Sequence, residues 1–218
     1  MYARAMEVPW NERKPPSFAL LIAAAGFAVA TAISILAIDE PIARAIAEYQ
    51  PSGAWDAILE VLEWALLLPL DPHALPVVLV VAMLVVVAVK PWRGVAPSLM
   101  TIAAVHLATR LTTNWLKDAT GRYRPAEWIA KGVDGSFGHD KGISFPSGHV
   151  VLFAGVVIPI LFAFPRTRVA MLPLLGIVVF VGAARIAVNA HWLSDTLGSI
   201  SWVCLWTWMV GFSTRPLK

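Results

Sequence analysis

Three short polar clusters interrupt a very apolar sequence: KDATGRYRP at 117–125, PSGH at 146–149 and RIAVNAHWLSD at 185–195. Their residue types suit an oxyanion. Lys117, Arg124 and Arg185 can together offset the charge of a phosphate, arginine with a planar fork that matches two oxygens and lysine as a mobile point charge. A glycine before a helix start lets backbone N–H groups approach an anion, and the positive helix end favours it. Ser147 and Gly148 would then cradle phosphate oxygens, Pro146 would fix the chain's approach to the helix, and His149 would be held against the bound group. His191 and Asp195 are four apart. On a helix they share a face, so the carboxylate can take one ring N–H and leave the other nitrogen free to attack phosphorus. His149 can protonate the departing oxygen and later activate water. Positioning and charge stabilisation are most of what phosphoryl transfer needs, and three cations can supply them in place of metal ions. His73 and His139 combine with no Asp or Glu in a metal-ligand spacing, so neither a metal nor another cofactor is expected.

The elements that must position these clusters are membrane helices. Of 218 residues, 58% are hydrophobic and 14% charged, far from the average of a soluble domain. The net charge of +3 is spread over the ends of apolar runs and forms no patch for nucleic acid. The single cysteine, Cys204, excludes an internal disulfide framework. Residues 18–38 carry no charge and are long enough to cross a bilayer; a signal peptide, the competing reading, would have a shorter apolar region. Further uncharged runs fall at 74–89, 94–109, 150–164, 169–184 and 196–212. Each reaches full span only if its helix continues into polar residues at one end. The expectation is an all-α fold, one domain over 1–218, with six transmembrane helices and a cytoplasmic N-terminal segment at 1–17. Arg13, Lys14, Lys90, Arg93, Arg166, Arg168, Arg215 and Lys218 would all lie on one side, which the positive-inside rule makes cytoplasmic, with both termini. The three polar clusters then share the opposite, outer face. Nothing in the sequence fixes an oligomeric state.

The segment 39–72 contains AWDAILEVLEWALLL, with Asp56, Glu60 and Glu63 at helical spacing. It reads as an amphipathic helix on the outer interface that feeds the second span; a further crossing would break the charge parity. Arg110 and Arg122 read as snorkelling anchors and His106 as a satisfied core histidine or a buried relay. Trp202 and Trp206 form a stripe for lipid-facing packing or for gripping a lipid chain, and Trp115 and Trp128 fit an aromatic belt.

The pattern K-x6-R-P at 117–125, P-S-G-H at 146–149 and R-x5-H-x3-D at 185–195 resembles the type 2 phosphatidic acid phosphatase superfamily, over most of the chain from about Phe18 onward. The resemblance implies a metal-independent phosphatase in which His191 forms a phosphohistidine, Asp195 orients it and His149 is the general acid. Lys117, Arg124, Ser147, Gly148 and Arg185 become the phosphate binders. One departure is Ala184, where many relatives have serine, which bears on one phosphate hydrogen bond and not on the reaction. Vanadium haloperoxidases are similar in the same pocket, so an oxidative enzyme is the alternative chemistry, although six spans argue against it. A channel or transporter would need charges through the bilayer, not on one face. The expected substrate is a lipid phosphate in the membrane of a bacterial cell, at the periplasmic or extracellular face of the inner membrane. A polyprenyl diphosphate is favoured because Lys131, His139 and Lys141 add positive charge in the outer loop; phosphatidylglycerophosphate and phosphatidate are the alternatives.

Overall fold

The computed structural model describes residues 18–49, 54–65, single positions between 77 and 88, and the stretches 96–163 and 168–213. Regular structure among them is helical, and the sole β-type pairing is an isolated bridge between Arg122 and Ile143. Helix α1 (Phe18–Ala37) is apolar on every side, exposes Phe18, Ile22, Val29 and Leu36, and buries the small or hydroxyl residues Ala24, Thr31 and Ser34. Small residues let helix backbones approach where lipid offers no hydrophobic drive for association. Accordingly α1 lies along α8 (Leu193–Ser213), where Ser201 Oγ donates to the Ala24 carbonyl at 2.7 Å. Among the described residues α1 is the one helix long and apolar enough to cross a membrane by itself.

Directly after α1 the chain turns at Ile38 into α2 (Asp39–Tyr49), and α3 (Ala54–Ala65) follows. The single amphipathic helix expected over 39–72 is therefore two helices, with Pro51 and Gly53 between them. At 11 residues α2 is about 16 Å long, half a bilayer core. It buries Ala43 against Trp128 and Trp192, while α3 stacks Trp55 on Phe180. The described positions between 77 and 88 are helical, with Val77, Val81 and Leu84 exposed. The rest of the run 74–89 lies outside the described residues, as do 1–17.

Helix α4 (Ala96–Thr120) has 25 residues, about 37 Å, and so carries its apolar N-terminal part and the polar residue Lys117 in one rod. Its buried stripe, Ser98, Ile102, Val105, His106, Thr109 and Thr113, repeats at three and four residues. Thr109 and Thr112 satisfy their hydroxyls on the helix itself, Thr109 donating to the Val105 carbonyl at 2.8 Å and Thr112 to the Ala108 carbonyl at 2.6 Å, whereas the buried Thr113 hydroxyl has no partner among the described residues. A short α5 (Pro125–Lys131) precedes a loop that leads into α6 (Gly148–Ala163), the central helix, with Val150, Val151, Leu152 and Ala154 enclosed. Helix α7 (Arg168–Ala187) and α8 complete the bundle.

Several side chains depart from their sequence reading. His106 is core, but neither ring nitrogen has a hydrogen-bond partner among the described residues. Trp128 is buried rather than in an interfacial belt, edge-on to Trp192 and under the Arg44 guanidinium. Trp202 turns toward α4, donating to Thr112 Oγ1 at 3.0 Å. Arg122 is no snorkelling anchor, being 1% exposed.

Candidate active site

The bundle ends converge because the long helices from α4 onward, α4, α6, α7 and α8, alternate in direction, and α1 ends at the same side as α4. The C-terminal ends of α1, α4 and α7 meet the N-terminal ends of α6 and α8: Lys117, Arg185, His149 and Asp195 act on one another there, and Ser34 at the end of α1 joins them through Asp39 and Ser194. His191 sits between α7 and α8. The end of α7 is closed by Asn189 in the left-handed region, φ 53°, which asparagine tolerates, and the amides of Ala190 and His191 both donate to the Arg185 carbonyl. The chain then starts α8, where Asp195 is the third helical residue and its Oδ2 accepts the Trp192 amide at 3.0 Å. That is half of a capping box. The same oxygen accepts His191 Nδ1–H at 3.3 Å. The spacing of four thus brings ring and carboxylate together as expected, but through a cap: His191 precedes the helix instead of riding on it.

Burial holds the His191 imidazole below the ordinary histidine range; the hydrogen bond and charge of Asp195 oppose this, and Arg185 and Lys117 reinforce it. The ring is therefore neutral near pH 7. With Nδ1–H directed at Asp195, Nε2 carries the lone pair, the tautomer that a nucleophile at phosphorus requires.

Asp195 has two further partners. Ser144 Oγ donates to Oδ2 at 2.5 Å and lies 3.4 Å from His191 Nδ1, while Arg122 Nη1 donates to Oδ1 at 2.6 Å. Both were missed as site residues in the sequence, although Ser144 stands three residues before Ser147 and Arg122 two before Arg124. The loop delivers Ser144 by doubling back on 121–123: Tyr123 N–H donates to the Ser136 carbonyl, His139 N–H to Gly121 and Ser144 N–H to Arg122, each at 2.8 Å. Gly121 and Gly142 touch backbone to backbone there, so closely that a Cβ on Gly142 would overlap the Gly121 carbonyl.

The remaining motif residues gather about the start of α6. Gly148 is its first residue, and the first amides of a helix have no intrahelical acceptor. The space a Gly148 side chain would fill lies 3.7 Å from Lys117 Nζ and 3.9 Å from Arg110 Nη1. The charges of Arg185, Lys117 and Arg124 act on His149, and those of Arg124, Arg110 and Arg185 on Lys117. Ser147 Oγ and Arg124 Nε are buried with no hydrogen-bond partner among the described residues. Buried donors left open beside clustered cations are what an oxyanion would satisfy. Arg110, two helical turns before Lys117, is a cation of this cluster that its reading as an anchor did not foresee. The loop residues point elsewhere: Lys131 lies over the Tyr123 ring at 4.4 Å, His139 stacks on the same ring, and Lys141 is exposed.

A crystal structure described as the first transmembrane PAP2 type phosphatidylglycerolphosphate phosphatase, from Bacillus subtilis, is similar in fold, with a TM-score of 0.53 over 89% of this chain and 94% of that one. Identity is 20%, so the likeness is one of architecture. No curated protein matches the sequence. The family model described as the PAP2 superfamily matches residues 98–216, more than half of the chain, from the buried stripe of α4 to beyond the end of α8. That span takes in all three polar clusters and the helix ends that bring them together, and on it the chain belongs to the PAP2 superfamily, the type 2 phosphatidic acid phosphatases.

Proposed function

We propose that this protein is an integral membrane lipid phosphatase that works through a phosphohistidine on His191 and acts on a polyprenyl diphosphate. Family membership supports the phosphatase reading, and the fold of a transmembrane relative supports the bilayer setting. His191 Nε2 attacks phosphorus as the bond to the departing oxygen breaks, and His149 gives that oxygen its proton. Water then attacks the phosphohistidine, His149 takes the water's proton, and phosphate leaves with the imidazole restored. Lys117, Arg124 and Arg185, with Ser147 Oγ and the Gly148 amide, hold the phosphoryl oxygens and stabilise the charge of the transition state without a metal ion. Asp195 keeps Nδ1 protonated and the ring oriented.

The observation that carries the substrate choice is the fourth cation. Lys117, Arg124 and Arg185 suffice for one phosphoryl group, and Arg110 stands beside Lys117 at Gly148, where a second phosphate would need a counter-charge. This moves the basis for a diphosphate from the loop lysines to the membrane side of the site. The lipid tail would stay in the bilayer, so a soluble ester should be a poor substrate. The second reading, phosphatidylglycerophosphate, is favoured by what the Bacillus subtilis neighbour is said to act on.

The test is phosphate release from undecaprenyl diphosphate and from phosphatidylglycerophosphate in one detergent, for wild type and Arg110→Gln. The expected outcome is a wild-type preference for the diphosphate and a loss of about 10- to 100-fold in its kcat/KM on substitution, the size of one charge-assisted hydrogen bond, with a much smaller loss on the monoester. A monoester preference, or equal losses on both lipids, would transfer the assignment to the second reading. Bromide oxidation with added vanadate is the control for haloperoxidase chemistry and is expected to stay at background.

A further inference from the structure

The polar network behind His191 does not stop at Asp195. Arg122 is enclosed between two carboxylates from distant parts of the chain, donating from Nη1 to Asp195 Oδ1 at 2.6 Å and from Nη2 to Asp39 Oδ2 at 2.7 Å. Its guanidinium lies 4.4 Å from the Phe137 ring centroid and 4.9 Å from that of Trp192. Asp39 also accepts from Ser34 Oγ at 2.7 Å, from the Ser194 amide at 3.1 Å and from Ser194 Oγ at 2.5 Å. Asp195 accepts from Ser144, the Trp192 amide and His191 besides Arg122. Each carboxylate thus receives four donors, about its full capacity, so neither is free to turn. A guanidinium held at one end can swing with its partner, whereas a planar fork held at both ends cannot.

We infer that Arg122 and Asp39 are positioning residues for His191. Arg122 fixes the Asp195 carboxylate against His191 Nδ1, and Asp39, at the elbow between α1 and α2, fixes Arg122, giving a relay His191, Asp195, Arg122, Asp39. Asp39 lies outside the stretch 98–216, so the N-terminal helices join the reactive apparatus through it. What His191 does once positioned rests on the phosphatase reading above; the relay itself does not.

A merely structural ion pair and a relay differ in one observable. The relay alternates charge, negative at Asp195, positive at Arg122 and negative at Asp39, so changing one member alters how readily His191 takes a proton, with a sign fixed in advance. The other groups that bear on this ring, Arg185 at the end of α7, Lys117 on α4, and His149 with Arg124 beside the site, are the same in every comparison. Removing the Asp39 charge leaves Arg122 balanced by Asp195 alone, which disfavours the imidazolium and moves the His191 titration to lower pH. Removing Arg122 and Asp39 together deletes the nearer positive charge without leaving an Asp39 charge buried alone, and moves the titration to higher pH because Asp195 then has His191 as its remaining cationic partner.

The experiment is 15N NMR of histidine-labelled protein in detergent. The His191 resonance is assigned by its loss in His191→Ala and titrated in wild type, Asp39→Asn and the double variant Asp39→Asn/Arg122→Met. Phosphate release from a lipid phosphate is measured beside it. Expected are midpoints displaced in opposite directions from wild type, and in Asp39→Asn a kcat lower by about 10- to 100-fold at nearly unchanged KM, as a misplaced reacting group gives. If Asp39→Asn does not fold, the upward displacement in the double variant decides alone. A His191 midpoint that is the same in every folded form would overturn the relay, even with activity lost. Failure of the phosphatase reading has a separate signature, a wild-type protein that releases no phosphate while the titrations still report on Arg122 and Asp39.

Discussion

The two histidines of the site are held by different means. His191 is clamped from behind by Asp195, whereas His149, the second residue of α6, stands among the cations at the start of that helix. Their variants should differ accordingly. His191→Ala is expected to fall to background on every substrate. His149→Ala is expected to lose about 100- to 10,000-fold on a lipid phosphate, whose leaving alcohol needs a proton, and far less on p-nitrophenyl phosphate, whose leaving group does not. Steady-state rates in one detergent check this, and equal losses on both substrates would make His149 a binding residue instead. These residues were legible because phosphate chemistry restricts residue type so strongly. Arg122 was not, since an arginine near the end of an apolar run is usually an anchor, and its partner Asp39 lies 83 residues away where no local spacing points to it. Ser144 was passed over for a similar reason: its contact with Asp195 exists only once the loop has folded back.

Among the elements, the contact of His191 with Asp195 was anticipated for a reason that the fold replaces. A shared helical face and a carboxylate that caps its own helix both put a residue four positions on within reach, so spacing alone could not separate them. The break between α2 and α3 was signalled by Pro51 and Gly53, but the continuous apolar and acidic pattern on either side masked it. What no pattern conveyed was the loop carrying Ser136, His139 and Ser144, whose order comes from backbone pairing with 121–123. Gly142 is the sensitive point of that pairing. A methyl there would stand 2.3 Å from the Gly121 carbonyl carbon and oxygen and 2.5 Å from the Arg122 carbonyl carbon. Gly142→Ala must push the loop away, taking Ser144 from Asp195 and disturbing Arg122 together. The expected cost is about 1–3 kcal/mol, as for overpacking in a core, with phosphatase activity lost in proportion. Gly176→Ala on α7, where a methyl meets open space, is the control and should stay within about 0.5 kcal/mol. Thermal midpoints and rates of the two variants compare directly, and an unperturbed Gly142→Ala would mean that the loop is not held as described.

At the scale of the whole molecule, the alternation of helix direction is what makes one site from three distant clusters. Had α6 run parallel to α4, PSGH and Lys117 would stand at opposite ends of helices 16 and 25 residues long. The exposed apolar residues, Ile22 and Val29 on α1, Leu107 and Leu111 on α4, Leu172 and Val179 on α7, lie along the rods, while the charged cluster is confined to one end. A bundle with that much uncovered apolar surface suits a bilayer, and arginine and lysine in the short connections set its orientation. Six spans would put the connection at 164–167 in the cytoplasm and the loop at 132–147 outside. An odd number of crossings before α4 would leave the site's own architecture intact and reverse both sides. Single cysteines placed at Lys141 and Thr167, with Cys204 replaced by serine, separate these cases. An impermeant thiol reagent added to intact cells should label the cysteine at 141 and not the one at 167, and inverted membranes should give the opposite. Labelling of both from one side would mean that α6, which lies between them, does not cross the bilayer. Labelling of 167 alone from outside would turn the site to the cytoplasm, and with it exclude a substrate presented at the outer leaflet.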